Sequence, residues 1–277
     1  MINVCVFGVL GRMGQEIMTA VNSDRELTLV SAMDSMAKEG SQSRIQVPAI
    51  DGNDPNTGFN FVPSLDELQS DNIDVIVDFT NVDAIEDHMR FCAERSINLV
   101  LGTSGVTEQN IKLANKLFDG ENQPNIVIAS NFAIGAVMMM HFAKIAAPFF
   151  DSAEIIEYHH DQKIDAPSGT AITTAEIMDQ SRRSKHLDSF SGDRTQKLVL
   201  DNPRGAVGKG NIPIHSVRLN GVVANQEVIF GTTGQTLIIK HDTVHRSAFM
   251  PGVLLAIKNV PKTPGVTLGI EKFLGIE

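Results

Sequence analysis

Two adjacent histidines, a lysine and a helix-start signal lie within fifteen residues, in the sequence EYHHDQKIDAPSGTA at 157–171. The preceding run SAEIIEYHH predicts a short strand, which places His159 and His160 at its end with their side chains on opposite faces. Lys163 follows in a loop, and the sequence SGT at 168–170 precedes a run with helical spacing. A strand end, a loop lysine and the N–H groups of a helix start together predict a receptor for a carboxylate.

The histidine pair alone has a simpler interpretation, because histidines at strand ends are often only solvated or capped. The lysine and the SGT turn beside the pair favour a binding site over that interpretation.

A glycine loop near the N-terminus is the second candidate for chemistry. The apolar run Ile2–Phe7 predicts a buried strand, glycines follow at 8, 11 and 14, and residues 15–21 have helical periodicity. A strand, a glycine turn and a helix in this order can hold a pyrophosphate, although the spacing G-x-x-G-x-x-G also suits a simple tight turn. A second predicted strand, Leu27–Met33, ends at Asp34, where a dinucleotide fold places the acid that binds the ribose hydroxyls.

Strands and helices alternate as far as residue 131, which predicts an α/β fold with a doubly wound parallel sheet of Rossmann type. We expect strands over 75–77, 98–101 and 126–129, with helices over 82–94 and 107–118 between them. The sequences after these strands, DFT at 78–80, GTSG at 102–105 and SNF at 130–132, should converge at one edge of the sheet. The polar segment 35–60 predicts a long surface connection.

The pattern changes after residue 131. A helix is predicted over 134–147, where we interpret three methionines as core, and loops are predicted over 181–193 and 201–211. Three strands follow between 212 and 240, and Asn220-Gly221 has the chemistry of a hairpin turn between the first two. These elements predict a second, α+β domain with a mixed or antiparallel sheet and helices on one face. A helix over 246–259 then contains Pro251-Gly252 near its start.

Composition narrows the class of protein. The chain has 277 residues, of which 42% are hydrophobic and 20% charged, and a formal net charge of −10. The negative balance argues against nucleic acid or an anionic membrane as the main partner. Neither Cys5 nor Cys92 has metal-site spacing around it, so we expect no metal. No signal-peptide pattern or long apolar run is present, and we expect a cytoplasmic protein.

The block HHxxKxDAPSGTA at 159–171 resembles the signature of the dihydrodipicolinate reductase family, and the motifs GRMG, DFT, GTSG and NFAIG stand in that family's order. The resemblance implies reduction of the cyclic product of aspartate semialdehyde and pyruvate to tetrahydrodipicolinate, with loss of water, in the diaminopimelate route to lysine. It further implies NADH, NADPH or both as cofactor, and a small dicarboxylate as substrate. The implied dinucleotide-binding domain is 1–130, completed by 241–277. The implied domain for substrate binding and homotetramer formation is 131–240.

The same resemblance assigns residues to roles. His159 and Lys163 are the implied catalytic pair. The implied substrate contacts are His160, Ser168, Gly169 and Thr170. The implied cofactor contacts are Gly8, Val9, Leu10, Gly11, Arg12, Met13, Asp34, Gly102, Thr103, Ser104, Ala129, Ser130, Asn131 and Phe132.

Elementary chemistry supports the catalytic pair independently. Hydride addition to a conjugated imine leaves electron density that a nearby acid must protonate, and the Lys163 ammonium can donate that proton and attract a dicarboxylate. His159 would orient substrate or stabilise developing charge, two roles that the sequence does not separate.

Two departures from the family pattern are present: Ser104 replaces a threonine in GTTG, and Ala224-Asn225-Gln226 replaces the usual G-E-H. Gln226 could still form a hydrogen bond to substrate but carries no charge. Two alternatives also stay open. A dinucleotide-sensing regulator would need the glycine loop but neither His159 nor Lys163. An amino-acid or imine dehydrogenase on the same scaffold would keep the lysine but not the dicarboxylate receptor.

Asp34 repels a 2′-phosphate, and Ser35 follows it where relatives that use NADPH can carry arginine, which predicts that NADH is preferred or at least accepted. Arg12, Lys38 and Arg44 could reach such a phosphate, so we expect use of both coenzymes.

Overall fold

The structure is a computed structural model that describes residues 1–36, 61–120, 122–201 and 203–276, and its chain divides into two compact units. The first unit is Met1–Phe132 with Phe249–Glu277, and the second is Ala133–Ala248. Most of the segment predicted as a surface connection, including Lys38 and Arg44, lies outside the described residues. The predicted domain boundary at 240/241 falls inside a strand that continues to Thr243.

Within the described residues the strands in chain order are β1 Ile2–Phe7, β2 Leu27–Met33, β3 Val75–Asp78, β4 Asn98–Leu101, β5 Ile126–Ile128, β6 Ser152–His159, β7 Ala206–Val207, β8 Pro213–Arg218, β9 Ala224–Thr232, β10 Gln235–Thr243 and β11 Val266–Leu268. The α-helices are α1 Arg12–Ser23, α2 Ile85–Glu94, α3 Glu108–Phe118, α4 Ile134–Ala146, α5 Gly169–Ser184 and α6 Met250–Asn259.

The first unit is built on a parallel sheet in which the described strands have the order β11-β5-β4-β3-β1-β2. Its central strands are continuous apolar runs because both faces of the sheet are covered. Cys5 and Phe7 of β1 share a buried cluster with Met89 of α2 and Phe118 of α3. Alternate β1 residues point to the opposite face, and α1 contacts α6. The predicted doubly wound sheet of Rossmann type is confirmed.

Helix α6 and strand β11 belong to the segment that returns to the first unit after the second. Pro251 occupies the first turn of α6, where its missing N–H costs no hydrogen bond, so it begins the helix rather than interrupting it. A Cβ at Gly252 would collide with the carbonyl oxygen of Phe132, so this glycine permits the close approach of α6.

The second unit is built on a mixed sheet with the described strand order β10-β9-β6-β8-β7. The central strand β6 is parallel to β8 and antiparallel to β9. The predicted hairpin at Asn220-Gly221 is therefore wrong, because β8 and β9 lie on opposite sides of β6. The hairpin joins β9 to β10 instead, around Thr232 and Gln235. The predicted α+β class is confirmed.

Helices α4 and α5 pack on one face of this sheet, where Ala143, Ala175 and Met178 share a core with Ile155 and Phe230. The loop predicted from residue 181 is wrong at its start, since α5 continues to Ser184. Arg182 explains the extension: its Nη1 donates to the carbonyls of Ala147 at 2.9 Å and Phe150 at 2.6 Å. The loop predicted over 201–211 contains the short strand β7.

Candidate active site

His159 is the last residue of β6, and its imidazole is held by a glutamate two residues earlier on the same face of the strand. Its Nδ1 lies 2.6 Å from Oε2 of Glu157, whose side chain is fully buried. An ionised carboxylate only accepts hydrogen bonds, so Nδ1 carries a proton. This leaves Nε2 as the ring atom available to a ligand. His160 falls just outside β6, one residue after the strand ends.

Glu157 also accepts hydrogen bonds from Arg218, the last residue of β8. The guanidinium forms two parallel hydrogen bonds, from Nη1 to Oε2 at 2.8 Å and from Nη2 to Oε1 at 2.9 Å. Burial raises the pKa of Glu157, but hydrogen bonds from His159 and Arg218 outweigh it and lower the pKa to about 2. The carboxylate is therefore ionised throughout the physiological range.

Lys163 lies in the loop between β6 and α5 and is paired with a neighbouring aspartate. Its Nζ lies 2.7 and 2.8 Å from the two carboxylate oxygens of Asp165. The hydrogen bond from Lys163 lowers the pKa of Asp165. The backbone N–H of Lys163 donates to the carbonyl of His160 at 3.1 Å, which closes a turn. These contacts fix the ammonium in the loop that begins directly after His160.

Helix α5 begins at the SGT sequence, and Ser168 is its N-cap. The Ser168 hydroxyl accepts from the N–H of Ala171 at 3.2 Å, and its own N–H donates to Oε1 of Glu157 at 3.1 Å. Because Ser168 is buried and makes both of these hydrogen bonds, it holds the start of α5 in place. Gly169 is exposed and has nothing within 4 Å of its Cβ position, which leaves its surface open to a ligand.

Gln226 is buried between the sheet of the second unit and α5. It is 4% exposed and lies opposite Glu157 in the sheet, with its Nε2 donating to the hydroxyl of Thr174 in α5 at 2.8 Å. Its Oε1 is buried without a hydrogen-bond partner among the described residues. The glutamine therefore joins the sheet to the helix, and a hydrogen bond from it to substrate stays a prediction.

The glycine loop of the first unit connects β1 to α1. Gly8 has a φ of +79°, a conformation that favours glycine, and a Cβ at Gly14 would collide with the Gly8 carbonyl oxygen. The loop is held by Asp34 at the end of β2, whose Oδ2 accepts from the N–H of Leu10 at 2.8 Å. Val9 is buried, so only its backbone can reach a ligand.

The ends of β3, β4 and β5 lie beside this loop within the first unit. A Cβ at Gly102 would overlap the ring of Phe79, which itself lies 5.4 Å from the ring of Phe132. Thr103 donates to Oδ1 of Asp78 at 3.3 Å. The remaining predicted contacts differ in exposure, as Ala129 is buried, Met13 and Asn131 are half-buried, and Gly11, Arg12, Ser104 and Ser130 are exposed.

These residues fit a dinucleotide. Gly11 is the N-cap of α1 and offers no side-chain cap, and the first turn has no acidic residue, so the N–H groups at the start of this helix suit a pyrophosphate. Each oxygen of Asp34 accepts one described backbone N–H, from Leu10 and Met36, which leaves lone pairs for ribose hydroxyls.

Sequence reasoning missed three residues of the second-unit cluster: Glu157, Asp165 and Arg218. Glu157 had a signal, since an acid within an apolar strand at the i−2 position shares a face with His159. Asp165 stands in the motif at 159–171, but no pattern in the sequence around Arg218 indicates its role.

Among the described residues, no three His, Cys, Asp or Glu side chains form a group that could hold a metal. No described helix has the length and apolar character needed to span a bilayer.

Comparison with known proteins covers both units. The family model for the dihydrodipicolinate reductase N-terminus matches residues 2–132, and that for the C-terminus matches 135–274. Curated relatives named 4-hydroxy-tetrahydrodipicolinate reductase include one from Corynebacterium urealyticum, 40% identical over 277 residues and 100% of both chains. Another, from Cutibacterium acnes, is 42% identical over 280 residues, also 100% of both chains.

Solved structures agree. A dipicolinate-bound dihydrodipicolinate reductase from Paenisporosarcina sp. TG-14 has a TM-score of 0.78 at 35% identity, covering 98% of this chain and 99% of that chain. An amine dehydrogenase from Mycobacterium smegmatis has a TM-score of 0.58 at 14% identity, over 98% of this chain and 95% of that one, and shares the fold alone. The two family models together cover nearly the whole chain, and full-length relatives are 40–42% identical to it, so the chain belongs to the dihydrodipicolinate reductase family.

Proposed function

We propose that the protein reduces 4-hydroxy-tetrahydrodipicolinate to tetrahydrodipicolinate, with NADH or NADPH as the reductant and with the 4-hydroxyl group lost as water. The observation that carries this proposal is the cluster of His159, Lys163 and the start of α5 in the second unit, within a chain whose full-length relatives bear that reductase's name. The cluster combines an acid with donors for a carboxylate, which a sensor of dinucleotides would not need.

The first unit would hold the dinucleotide. Its pyrophosphate would lie on the backbone from Gly8 to Met13, and Asp34 would bind the ribose hydroxyls. The residues that follow β4 and β5 would contact the nicotinamide half of the dinucleotide. When bound, the reduced nicotinamide supplies the hydride. The strand-end residues of the first unit, with Phe79 packed over Gly102, would shape the surface for the ring.

The second unit would hold the dicarboxylate. One carboxylate would meet Gly169 and Thr170 at the N-terminus of α5, where the helix dipole favours negative charge. His160 and Lys163 would meet charge on the other side of the ring, while Ser168 keeps the helix start in place. The dipicolinate that is bound in the Paenisporosarcina structure is a dicarboxylate of this kind.

Lys163 would donate the proton that completes the reduction. Its pairing with Asp165 fixes the ammonium in the loop, and His159 would present Nε2 to the substrate because Nδ1 is engaged by Glu157. The histidine can then orient substrate or stabilise charge that develops on it.

One assay tests the activity. The protein is mixed with NADH and the freshly made condensation product of aspartate semialdehyde and pyruvate, and the fall in NADH absorbance is followed. We expect turnover that requires the condensation product, and no turnover with a simple 2-oxo acid and ammonia, the substrates of an amino-acid dehydrogenase. The opposite pattern would favour the dehydrogenase alternative.

We further propose that the protein uses both coenzymes and that NADH is preferred or at least accepted, because Asp34 would repel a 2′-phosphate and Ser35 offers no positive charge to bind one. The ratio of the two kcat/KM values measures this preference. An advantage of NADPH above about tenfold, or roughly 1.4 kcal/mol, would contradict it.

A homotetramer assembled through the second unit is also proposed. The second unit exposes three consecutive apolar residues, Leu198, Val199 and Leu200, at 58%, 82% and 76%. Apolar residues exposed together are typical of protein interfaces. Sedimentation equilibrium of the protein decides the oligomeric state.

A further inference from the structure

We infer that Glu157 is a positioning residue, which sets the tautomer of His159 and fixes the loop that carries Lys163. Arg218 holds the Glu157 carboxylate in place through two hydrogen bonds. The inference rests on the proposed reductase function for its kinetic readout only, since the tautomer can be measured without any substrate.

The Glu157 carboxylate is saturated with donors from three parts of the chain. Oε2 accepts from Nδ1 of His159 at 2.6 Å and from Nη1 of Arg218 at 2.8 Å. Oε1 accepts from Nη2 of Arg218 at 2.9 Å and from the N–H of Ser168 at 3.1 Å. A buried carboxylate with four such donors has one orientation, because any rotation would leave donors unpaired.

The first consequence concerns the ring of His159. Since the carboxylate accepts and never donates, it holds the Nδ1–H tautomer and directs Nε2 away from the strand. A glutamine of the same shape would reverse this. Its amide oxygen would be drawn to the N–H of Ser168, and its amino group would then face Nδ1, which would have to accept.

The second consequence concerns the loop between β6 and α5. Glu157 holds the end of the loop through Ser168, and Nη2 of Arg218 donates to the backbone carbonyl of Asp165 at 2.8 Å. The side chain of Asp165 in turn holds Nζ of Lys163. A continuous series of contacts therefore runs from the buried carboxylate to the proposed proton donor.

A matched control lies three residues away on the same strand. Glu154 also binds an arginine, Arg204, and a histidine, His215, the latter at 2.7 Å. An odd separation along a strand places Glu154 on the opposite face of the sheet, away from His159. Glu154→Gln therefore removes a carboxylate with the same kinds of partner without touching the site.

The experiment compares Glu157→Gln, Arg218→Lys and Glu154→Gln with the wild-type protein. Histidines are labelled with ¹⁵N, and long-range ¹⁵N–¹H correlations at alkaline pH report the tautomer of each ring. The His159 signals are those lost in His159→Gln. Circular dichroism checks folding, and NADH affinity is measured by fluorescence in each variant.

We expect the Nδ1–H tautomer for His159 in the wild type, in Glu154→Gln and in Arg218→Lys, where the carboxylate remains ionised. Glu157→Gln should convert it to the Nε2–H tautomer. Both Glu157→Gln and Arg218→Lys should lower kcat/KM by about 100-fold, the scale of a small misplacement of catalytic groups, with NADH affinity unchanged. Glu154→Gln should leave kcat/KM unchanged.

Three outcomes overturn the inference: a retained Nδ1–H tautomer in Glu157→Gln, wild-type kcat/KM in Arg218→Lys, or equal losses of kcat/KM in Glu157→Gln and Glu154→Gln. A wild-type protein that does not turn over the condensation product would overturn the proposed function instead, while the tautomer measurement would still decide the role of Glu157.

Discussion

Asp78 and His88 form a 2.6 Å hydrogen bond between Oδ2 and Nδ1 inside the first unit, where their side chains are 0% and 7% exposed. Oδ1 of Asp78 accepts from the backbone N–H of Thr80 at 2.9 Å and from its hydroxyl at 2.7 Å. Burial raises the pKa of Asp78, but His88 and Thr80 together lower it. The pair fixes the end of β3 beside Phe79.

Replacing His88 by leucine should destabilise the protein strongly. The change places an apolar side chain in the core but leaves the Asp78 carboxylate buried without its main partner, which costs about 3–5 kcal/mol. Urea unfolding measures the loss. Asp87→Asn, at an exposed position of the same helix, is the control and should change the free energy of unfolding by less than about 0.5 kcal/mol. A similar small effect of His88→Leu would show that the pair contributes little.

Acid should weaken the second unit through Glu157. Its pKa is about 2 in the folded protein and 4.5 ordinarily, so the carboxylate stabilises the fold above pH 4.5 and this contribution disappears as pH falls towards 2. The difference corresponds to about 3 kcal/mol. We therefore expect the free energy of unfolding to fall less steeply with acid in Glu157→Gln than in the wild type. Parallel curves over this range would contradict the prediction.

Gly102→Ala should impair the dinucleotide site, because the added Cβ would overlap the ring of Phe79 and displace it. We expect NADH to bind at least about tenfold more weakly, or roughly 1.4 kcal/mol. Isothermal titration calorimetry measures this affinity. Gly169→Ala meets no atom within 4 Å, lies in the other unit and serves as the control, with normal NADH binding expected.

Lys163→Ala should lower kcat severely while NADH affinity stays near normal, because the proposed dinucleotide contacts belong to the first unit. His159→Gln should be less damaging, since glutamine can still donate and accept hydrogen bonds. Steady-state kinetics with each variant test both statements. A Lys163→Ala enzyme with wild-type kcat would remove Lys163 as the proton donor.

Pyridine-2,6-dicarboxylate should inhibit competitively with substrate, because it has both carboxylates but an aromatic ring without a reducible imine. Thr170→Val keeps the shape of the side chain and removes its hydroxyl donor, so inhibition should weaken by about 1.5–3 kcal/mol if that hydrogen bond is charge-assisted. Inhibition constants for the two proteins give this difference. Unchanged inhibition in Thr170→Val would exclude its hydroxyl as a contact, and competition with NADH would place the inhibitor in the first unit.

Local sequence was sufficient where an element is defined by its own pattern. Strand β1 is a continuous apolar run because both of its faces are covered, and β2 has mostly apolar residues; both were predicted with the bounds that the structure shows. Ser168 was likewise recognisable as a helix start. The extension of α5 was not predictable, because Arg182 is polar and its helical position depends on carbonyls more than thirty residues away.

The part of the candidate site that could not be predicted depends on which strands become neighbours in the sheet of the second unit. Asn220-Gly221 correctly indicates a change of direction, but a turn dipeptide does not tell which strands become neighbours, and β6 enters between the two that it joins. Arg218 reaches Glu157 for the same reason: β8 lies beside β6, although the two residues are 61 positions apart. Nothing near Arg218 in the sequence indicates that partner.

The first unit is discontinuous in the chain, and this has a consequence for synthesis on the ribosome. Until residues 249–276 emerge, β5 has no β11 along its outer edge, and the surface later covered by Val253 and Ile257 of α6 stays open to water. The second unit contains all its own strands and can fold first. A nascent chain therefore carries an unpaired strand edge from the synthesis of β5 until β11 emerges, and an unpaired edge of this kind is a site for aggregation.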